Sequence, residues 1–125
     1  MPESEPQRHQ RRHDHLRLGR HGEDLVAQWY RSAGHEVIDR NWRCAQGELD
    51  LVVRDGSTIV FCEVKTRSSL RYGSPFEAVD HTRRRRLRAA ASLWLRECGP
   101  SGAHDVRFDV AGVVGNRIEV IRGAF

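Results

Sequence analysis

Apolar side chains recur at helical spacing near the start of the chain, between Leu18 and Ala33. Their period of three to four residues is that of one buried helix face. Gly34 follows the last of them, and glycine commonly ends helices because it adopts backbone angles that other residues avoid. The pattern therefore predicts an amphipathic helix that ends at Gly34. Its apolar positions are Leu18, Gly22, Leu25, Val26, Trp29, Tyr30 and Ala33.

The next part of the chain alternates between apolar and polar positions, which is the pattern of β-strands. It predicts a first strand at about residues 35–43 and two further strands on either side of an Asp55-Gly56 hairpin turn. Both faces of this hairpin carry large apolar residues. We therefore expect it to be central in a sheet that is covered on both sides.

A second helix and a second hairpin complete the pattern. The helix is predicted over residues 75–97, because Pro75 suits a first helical turn and apolar residues recur at helical spacing beyond it. Residues 105–114 and 117–121 predict a closing hairpin with a Gly115-Asn116 turn. The order of one helix, three strands, one helix and two strands predicts an α/β fold.

At 125 residues the chain is long enough for one hydrophobic core and too short for two. Residues 1–15 are rich in Pro, Glu, Gln, Arg and His and contain one large apolar side chain, so we predict a disordered N-terminal tail. Residues 16–125 are then predicted to form a single domain.

Composition excludes some classes of protein and leaves others open. The net charge of +4 permits a polyanionic partner without requiring one. No apolar run approaches the length of a membrane span, and the N-terminus has no signal-peptide core. The three cysteines are far apart, which favours a reducing cytoplasm and argues against a structural zinc site. We expect a cytoplasmic protein that does not bind membranes.

One lysine, Lys65, stands among 21 cationic residues. Lysine is a compact point charge with a tunable pKa, unlike the planar guanidinium of arginine. Glu63 lies two residues before it, on the same face of the strand. Glu48 and Asp50 lie on the preceding strand. A lysine and several carboxylates are therefore expected on paired strands.

The register of the hairpin decides which acids are neighbours. With an Asp55-Gly56 turn, Asp50 would face Phe61 and Glu48 would face Glu63. Asp50 and Glu63 then become diagonal neighbours on one face, with backbones roughly 7 Å apart. The same face carries Lys65, because side chains repeat every second residue.

Carboxylates clustered on paired strands repel one another and need a nearby positive charge. One interpretation is a salt-bridge network with Lys65 and nearby arginines. The other is a divalent cation, since Mg²⁺ is held by one or two carboxylates, waters and substrate phosphate oxygens. The set favours a metal-dependent phosphodiesterase site, in which Lys65 orients the attacking water or balances charge on phosphorus.

Three further charged residues lie where they can reach this site. Glu23 is at the edge of the buried helix stripe, and it either joins the acidic cluster or pairs with Arg20 as an exposed helix acid. Glu48 either belongs to the cluster, caps a strand end or pairs with Arg43. Arg83 lies on the apolar stripe of the second helix, where it can meet a phosphate or one of the acids.

Several of these segments together resemble a known superfamily. Glu23 in a first helix, Gly47-Glu48-Leu49-Asp50 and Glu63-Val64-Lys65-Thr66-Arg67 are similar to the PD-(D/E)XK nucleases, especially the small archaeal Holliday-junction resolvases. The chain from Leu18 to Phe125 resembles the YraN family of uncharacterised bacterial proteins more closely. The residues that carry this resemblance also include Gly19, Gly22, Ala27, Arg40-Asn41, Gly73, Pro75, Ala78-Val79, Arg107-Phe108-Asp109-Val110 and Ala124-Phe125.

The resemblance implies a restriction-endonuclease-like αβββαβ core, with a mixed central sheet flanked by helices. It implies that Asp50, Glu63 and the carbonyl of Val64 bind Mg²⁺ or Mn²⁺. It also implies that Lys65 assists catalysis and that Glu23 completes the acidic cluster. YraN-like sequences usually have lysine at the position of Arg83, and arginine there keeps a phosphate-binding charge. The residues expected to contact nucleic acid are Arg43, Arg67, Tyr72 and Arg83.

Two function classes remain open. The first is a metal-dependent endonuclease that hydrolyses phosphodiester bonds in DNA, including branched or structured DNA, as a homodimer like the resolvases. The second is a nucleic-acid-binding protein of the same fold that has little cleavage activity and acts through a partner. Asp50, Glu63 and Lys65 favour the enzyme, because a pure binder has no need of acids placed against phosphates. A salt-bridged structural domain would show no magnesium effect on stability and no affinity for nucleic acid.

Overall fold

The computed structural model describes the backbone of residues 4–67, 80–102 and 104–125, and the side chains of these ranges from Leu18 onwards. These ranges contain two helices and five strands. They are α1 (Ser4–Ser32), β1 (Glu36–Cys44), β2 (Gly47–Asp55), β3 (Thr58–Arg67), α2 (His81–Cys98), β4 (Asp105–Val114) and β5 (Arg117–Ile121). The order of helices and strands predicted from the sequence is confirmed.

The five strands form one mixed sheet in the order β1-β2-β3-β4-β5. β3 and β4 pair in parallel, and the other neighbouring strands pair antiparallel. A parallel pair needs a crossover connection, and α2 lies in the connection from β3 to β4. The result is an α/β domain with a restriction-endonuclease-like αβββαβ core, as expected.

Each face of the sheet is covered by one helix, so β2 and β3 are buried on both sides. α1 packs on one face through Val26 and Tyr30, which are fully buried. α2 packs on the other face through Leu87 and Trp94. The Trp94 indole N–H also donates to the Asp39 carboxylate at 2.7 Å, which satisfies a polar group at the edge of this apolar layer.

The β2–β3 hairpin differs from its prediction in the position of the turn. Asp55 pairs with Thr58, so the two-residue loop is Gly56-Ser57 and not Asp55-Gly56. Gly56 has a φ of +60°, and glycine at the first loop position is what a type II′ hairpin turn requires. Asp55 stays in the strand, where its carboxylate lies 3.5 Å from Arg107 Nη1.

This turn shifts the pairing of the two strands by two residues. Val52, and not Asp50, is opposite Phe61, and the expected pairing of Glu48 with Glu63 is wrong. Because side chains in a strand repeat every second residue, a shift of two by itself moves no side chain to the other face. The acids therefore remain near one another with different direct neighbours.

The second helix begins later than predicted. Asp80 is its N-cap: the backbone there is extended, with φ −85° and ψ −179°, and the side chain accepts a hydrogen bond from the Arg83 backbone N–H at 2.9 Å. An extended residue interrupts a helix, so α2 begins at His81 and not at Pro75. Pro75 itself lies outside the described residues.

The segment predicted to be a disordered tail overlaps α1, whose backbone runs from Ser4. Side chains before Leu18 lie outside the described residues. The boundary between a tail over residues 1–15 and a domain over 16–125 therefore stays a prediction. Within the described part of the chain, neither helix is long and apolar enough to cross a membrane.

Candidate functional site

β2 and β3 separate at Asp50. Their antiparallel ladder ends at the pair formed by Leu51 and Cys62, although β3 continues to Arg67 along β4. Beyond the last pair, the Val64 backbone N–H donates to the Asp50 carboxylate at 2.8 Å. A side chain thus takes the place of a backbone acceptor, and a gap opens between two central strands. This gap lets groups from both faces of the sheet meet.

β1 and β2 change faces at the same point. Leu49 packs against α2 whereas Leu51 packs against α1, although residues two apart in a strand normally share a face. In β1 the residue at this point is Asn41, which has a φ of +53° and lies between the residues paired with Leu49 and Leu51. Left-handed backbone is uncommon outside glycine, although asparagine adopts it more readily than most residues. Backbone strain of this kind concentrates at functional sites.

α1 brings Glu23 to the gap through a close approach at the neighbouring Gly22. A Cβ at Gly22 would overlap the Thr66 hydroxyl, so only glycine lets the helix lie this close to β3. The Glu23 side chain is 15% exposed and lies 3.9 Å from Arg40. It is also hydrogen-bonded to the side chain of Asn41. Helix packing and the distortion of β1 therefore position the same carboxylate.

Gly22→Ala is expected to lower the free energy of unfolding by about 1–3 kcal/mol, because the added methyl overlaps Thr66 and pushes α1 away from β3. Adding Thr66→Ala removes two of the three atoms that the new Cβ meets, and should restore most of the loss. Urea unfolding of the single and double variants measures both effects.

Gly19→Ala is the matched control on the same helix. Its Cβ would meet no atom within 4 Å, so the better helix propensity of alanine should stabilise the protein by about 0.5–1 kcal/mol. If Gly22→Ala also stabilised the protein, the close approach of α1 to β3 would be contradicted.

Three carboxylates converge in the gap: Glu23 from α1, and Glu48 and Asp50 from β2. One oxygen of each lies within 4.8 Å of an oxygen of the other two. Together with Asn41 they line a cavity of about 450 Å³. Arg43 Nε lies 3.4 Å from Glu48. Two of the alternatives for Glu48, membership of the cluster and pairing with Arg43, are therefore both present.

Glu63 reaches the same gap from β3 but is held by cations. It is 3% exposed and accepts two hydrogen bonds from Arg83, from Nε at 2.8 Å and from Nη2 at 3.1 Å. Lys65 Nζ lies 3.9 Å from one of its oxygens. The sequence left two partners open for Arg83, a phosphate or one of the acids. In the structure Arg83 pairs with an acid, Glu63. Asp50 is hydrogen-bonded to Glu63 and connects this ion pair to the carboxylate cluster.

Burial raises the pKa of Asp50 to about 9. The hydrogen bond with Glu63 and the negative charges of Glu63 and Glu23 are smaller contributions to this raised pKa, and the Val64 N–H opposes them. Burial also raises the pKa of Glu23, against the hydrogen bond from Asn41. The raised pKa favours the protonated form of Asp50, whose hydroxyl can donate a hydrogen bond to Glu63.

Glu63 responds in the opposite way. Burial on its own would raise its pKa, but hydrogen bonds from Asp50 and Arg83 and the charges of Arg83 and Lys65 lower it overall. The hydrogen bond to Glu63 raises the pKa of Arg83 in turn. Neighbouring carboxyl groups whose pKa values are pushed apart are typical of functional sites, although ion-pair networks show them too.

Two of the four residues predicted to contact nucleic acid lie at cavities beside the cluster. Arg43 is 79% exposed at the rim of the larger cavity. Arg67 lines a smaller cavity of about 170 Å³ with Glu23 and Lys65. Tyr72 lies outside the described residues, and the guanidinium of Arg83 is paired with a carboxylate. Their roles in binding nucleic acid stay predictions.

Two residues of the site, Glu48 and Asn41, are difficult to assign to it from the sequence. Glu48 is two residues from Asp50, which is the spacing of any two acids on one strand face. Asn41 orients Glu23, but only its place among the family-like residues marks it in the sequence. A left-handed residue within a strand depends on tertiary packing, which local propensity does not reveal.

The converging groups suit a hard divalent cation. Mg²⁺ prefers oxygen ligands and keeps several waters, so a few carboxylates beside an open cavity match its requirements. Glu23, Glu48 and Asp50 offer one oxygen each at compatible separations. Glu63 adjoins them through Asp50. Metal ligands must be deprotonated, so a cation here would compete with the proton on Asp50.

An αβββαβ core with carboxylates gathered where two central strands separate defines a restriction-endonuclease-like α/β domain. The chain belongs to the uncharacterised protein family UPF0102, whose family model matches residues 22–113. This family contains the YraN-like proteins, so the resemblance to the YraN family is confirmed. The matched segment runs from the close contact of α1 with β3 almost to the end of β4.

Several relatives share most of the chain. A UPF0102 protein from Frankia casuarinae is 53% identical over 115 residues, which cover 86% of this chain and 95% of the relative. A UPF0102 protein from Rhodococcus jostii is 49% identical over 115 residues, covering 88% and 97%. One from Acidothermus cellulolyticus is 45% identical over 122 residues, covering 86% and 92%. These names state a family and no activity, so function has to be argued from the site.

Proposed function

We propose that this chain is a metal-dependent endonuclease that hydrolyses phosphodiester bonds in DNA in the cytoplasm. The observation that carries this proposal is the convergence of Glu23, Glu48 and Asp50 on the gap between β2 and β3. As pure architecture the cluster costs stability, because burial and the neighbouring acids Glu63 and Glu23 raise the pKa of Asp50 to about 9. A cation and a phosphate are the partners for which such a cluster is useful.

Mg²⁺ or Mn²⁺, when bound, supplies Lewis acidity that polarises the scissile phosphate and activates the attacking water. Glu23, Glu48 and Asp50 would hold the ion. Glu63 and the carbonyl of Val64 are the further ligands that the resemblance implies. Arg83 holds Glu63 in a fixed orientation through two hydrogen bonds. Glu63 could bind the metal only if the guanidinium gave up one of these two bonds.

Lys65 supplies a compact positive charge at the edge of the cluster. Its Nζ lies 3.9 Å from Glu63, and its side chain is 23% exposed. From this position it orients the attacking water or stabilises negative charge on phosphorus. Attack of water on phosphorus breaks one P–O bond and leaves a phosphate on one strand end and a hydroxyl on the other.

Branched or structured DNA is the proposed substrate, and a homodimer is the proposed assembly. Both follow from similarity to the resolvases. A junction presents equivalent strands, and a two-fold symmetric dimer presents two equivalent sites to them.

Binding without cleavage is the second candidate function, and the pairing of Arg83 with Glu63 favours it. Both oxygens of this carboxylate accept hydrogen bonds from the guanidinium. The charge of Glu63 is thus neutralised within the protein. A nucleic-acid-binding protein that acts through a partner would need no further ion at this position.

Cleavage of labelled single-stranded, duplex, flap and four-way-junction DNA with Mg²⁺ or Mn²⁺ tests both candidates. Wild type is expected to cut at least one of these substrates. Lys65→Ala should lower the rate by about 10²–10³-fold and leave DNA binding largely intact, because a charge beside the reacting phosphorus is lost. Arg54→Ala removes an exposed cation at the hairpin end of β2 and should leave the rate unchanged.

Metal-dependent cutting that is lost in Lys65→Ala would support the nuclease. Binding by wild type with no cutting under either metal would support the second candidate. Absence of both binding and cutting would contradict a function on DNA altogether.

A further inference from the structure

α2 carries positive charge where a helix favours negative charge. Five arginines lie within the segment His81 to Arg88, and its first turn contains no acid. The N-terminus of a helix already bears partial positive charge, so these arginines lower the stability of α2 unless other groups compensate. The charge of the helix end therefore does not account for their positions, and their partners have to be identified one by one.

Three of the five arginines have partners within the protein. Arg83 is paired with Glu63. Arg84 and Arg88 lie over the ring of Phe125, at 5.4 and 5.5 Å from its centroid, and hold the C-terminal residue against α2. The remaining two, Arg85 and Arg86, form no ion pair with the described residues.

Arg85 and Arg86 line a groove of about 640 Å³ between α2 and the β1–β2 turn. Thr82 lines it from the helix and Gln46 from the turn, and none of the described residues along it is acidic. The turn side of the groove includes Gly47. The next residue is Glu48, a member of the carboxylate cluster. A basic groove therefore adjoins the acidic site.

We propose that this groove binds the phosphate backbone of one nucleic acid strand next to the carboxylate cluster. Arginine forms bidentate hydrogen bonds with phosphate, and such contacts position a nucleic acid without reading its sequence. The two arginines provide the charge, and Thr82 and Gln46 provide uncharged hydrogen-bonding groups. That the bound strand leads to a scissile phosphate rests on the proposed function, whereas binding of the backbone does not.

The double variant Arg85→Gln/Arg86→Gln tests the groove. Binding of a fluorescent single-stranded DNA oligonucleotide to the full chain in EDTA, measured by anisotropy, should weaken by about 10-fold or more. The slope of log Kd against log salt should fall by about 1.4, which corresponds to two phosphate contacts on a single strand. Glutamine and arginine have similar helix propensities, so α2 should stay folded, and a thermal melt checks this.

Arg54→Gln/Arg96→Gln is the matched control. Both residues are exposed, and the variant removes the same charge from outside the groove. Its affinity should change by less than about 2-fold at moderate salt, where distant charges are screened. Equal weakening in the two double variants would overturn the proposal, and so would unchanged binding by Arg85→Gln/Arg86→Gln.

Duplex DNA and an RNA strand of the same sequence identify which nucleic acid the groove takes. If Arg85→Gln/Arg86→Gln binds single-stranded DNA, duplex DNA or RNA more weakly than the control variant does, the groove is supported. The ligand whose affinity falls most is the preferred one. Cleavage by wild type is scored separately. Cutting with equal binding by both double variants would refute the groove and leave the nuclease standing. Loss of binding in Arg85→Gln/Arg86→Gln alone, with no cleavage by wild type, would support the groove and contradict the nuclease.

Discussion

Asp50→Asn should raise the free energy of unfolding by about 2 kcal/mol in EDTA at about pH 8, and lower metal-dependent cleavage by about 10³-fold or more. The asparagine oxygen can still accept the Val64 N–H, and its amide can donate to Glu63 as protonated Asp50 does. The amide is neutral at every pH, so it removes the free-energy cost of keeping Asp50 protonated in this buried acidic site. It also removes a carboxylate that the proposed metal requires.

The pH dependence of this effect has a definite sign. Folding raises the pKa of Asp50 from its ordinary value of 3.8 to about 9. The stability that the protonated group contributes is full below the unfolded pKa and is lost as the pH rises through the folded pKa. The advantage of the asparagine variant should thus be absent at about pH 4 and largest at about pH 9. The lowered pKa of Glu63 offsets part of the full shift, which limits the expected gain.

Urea unfolding in EDTA over this pH range measures the difference. Asp24→Asn is the matched control, because Asp24 is a neighbouring acid that is 65% exposed and pairs with Arg40 at 2.7 Å. Its effect should stay within about 1 kcal/mol and should not grow towards pH 9. Saturating Mg²⁺ should stabilise wild type by binding the folded state, and should leave Asp50→Asn unchanged. An asparagine variant less stable than wild type at alkaline pH would identify Asp50 as a structural salt-bridge acid.

The closing hairpin shows which features are predictable from the sequence. The predicted bounds, 105–114 and 117–121, coincide with those of β4 and β5. Alternation sets the strands, and the intervening Gly115 has a φ of +61°, which glycine adopts readily. All of this information is local. The shared face of Glu63 and Lys65 on β3 is predictable for the same reason, since a period of two follows from the backbone of one strand. The face change between Leu49 and Leu51 in β2 is not predictable in this way.

The geometry of the site depends on contacts between distant elements. Gly56 can occupy either position of a two-residue loop, so the sequence around it does not fix the register of β2 and β3. The separation of these strands at Asp50 depends on a side chain replacing a ladder bond. The left-handed Asn41 depends on the face change in the neighbouring strand. The acid bound by Arg83 lies 20 residues earlier in the chain. None of these four features can be predicted from a short stretch of neighbouring residues.

A second buried aspartate, Asp109 of β4, shows what a structural carboxylate in this sheet requires. It is fully buried and accepts four hydrogen bonds. They come from the Tyr30 hydroxyl at 2.7 Å, from Arg107 Nε at 2.9 Å and Nη2 at 3.0 Å, and from the Gly123 backbone N–H at 3.0 Å. These bonds join α1, β4 and the segment after β5. Here the donors are arranged around the negative charge, whereas at Asp50 other acids surround it.

Asp109→Asn is expected to lower the free energy of unfolding by about 3 kcal/mol, because the amide loses the charge and offers one acceptor oxygen where the carboxylate offers two. The donors cannot adapt by losing protons near neutral pH. Burial raises the pKa of Tyr30, and the hydrogen bond to Asp109 raises the pKa of Arg107. Tyr30→Phe removes one donor and leaves the carboxylate with its other partners, so a loss of about 1 kcal/mol is expected.

The same substitution at two aspartates of one sheet should therefore change stability in opposite directions. Urea unfolding of Asp50→Asn and Asp109→Asn side by side, in EDTA at about pH 8, makes the comparison with one chemical change and one assay. Destabilisation by both would mean that Asp50 is satisfied by its surroundings as Asp109 is, and the cluster would then be explained by folding. Opposite signs would show that the carboxylate of Asp50 is retained against its cost in stability, which is the behaviour expected of a group kept for a ligand.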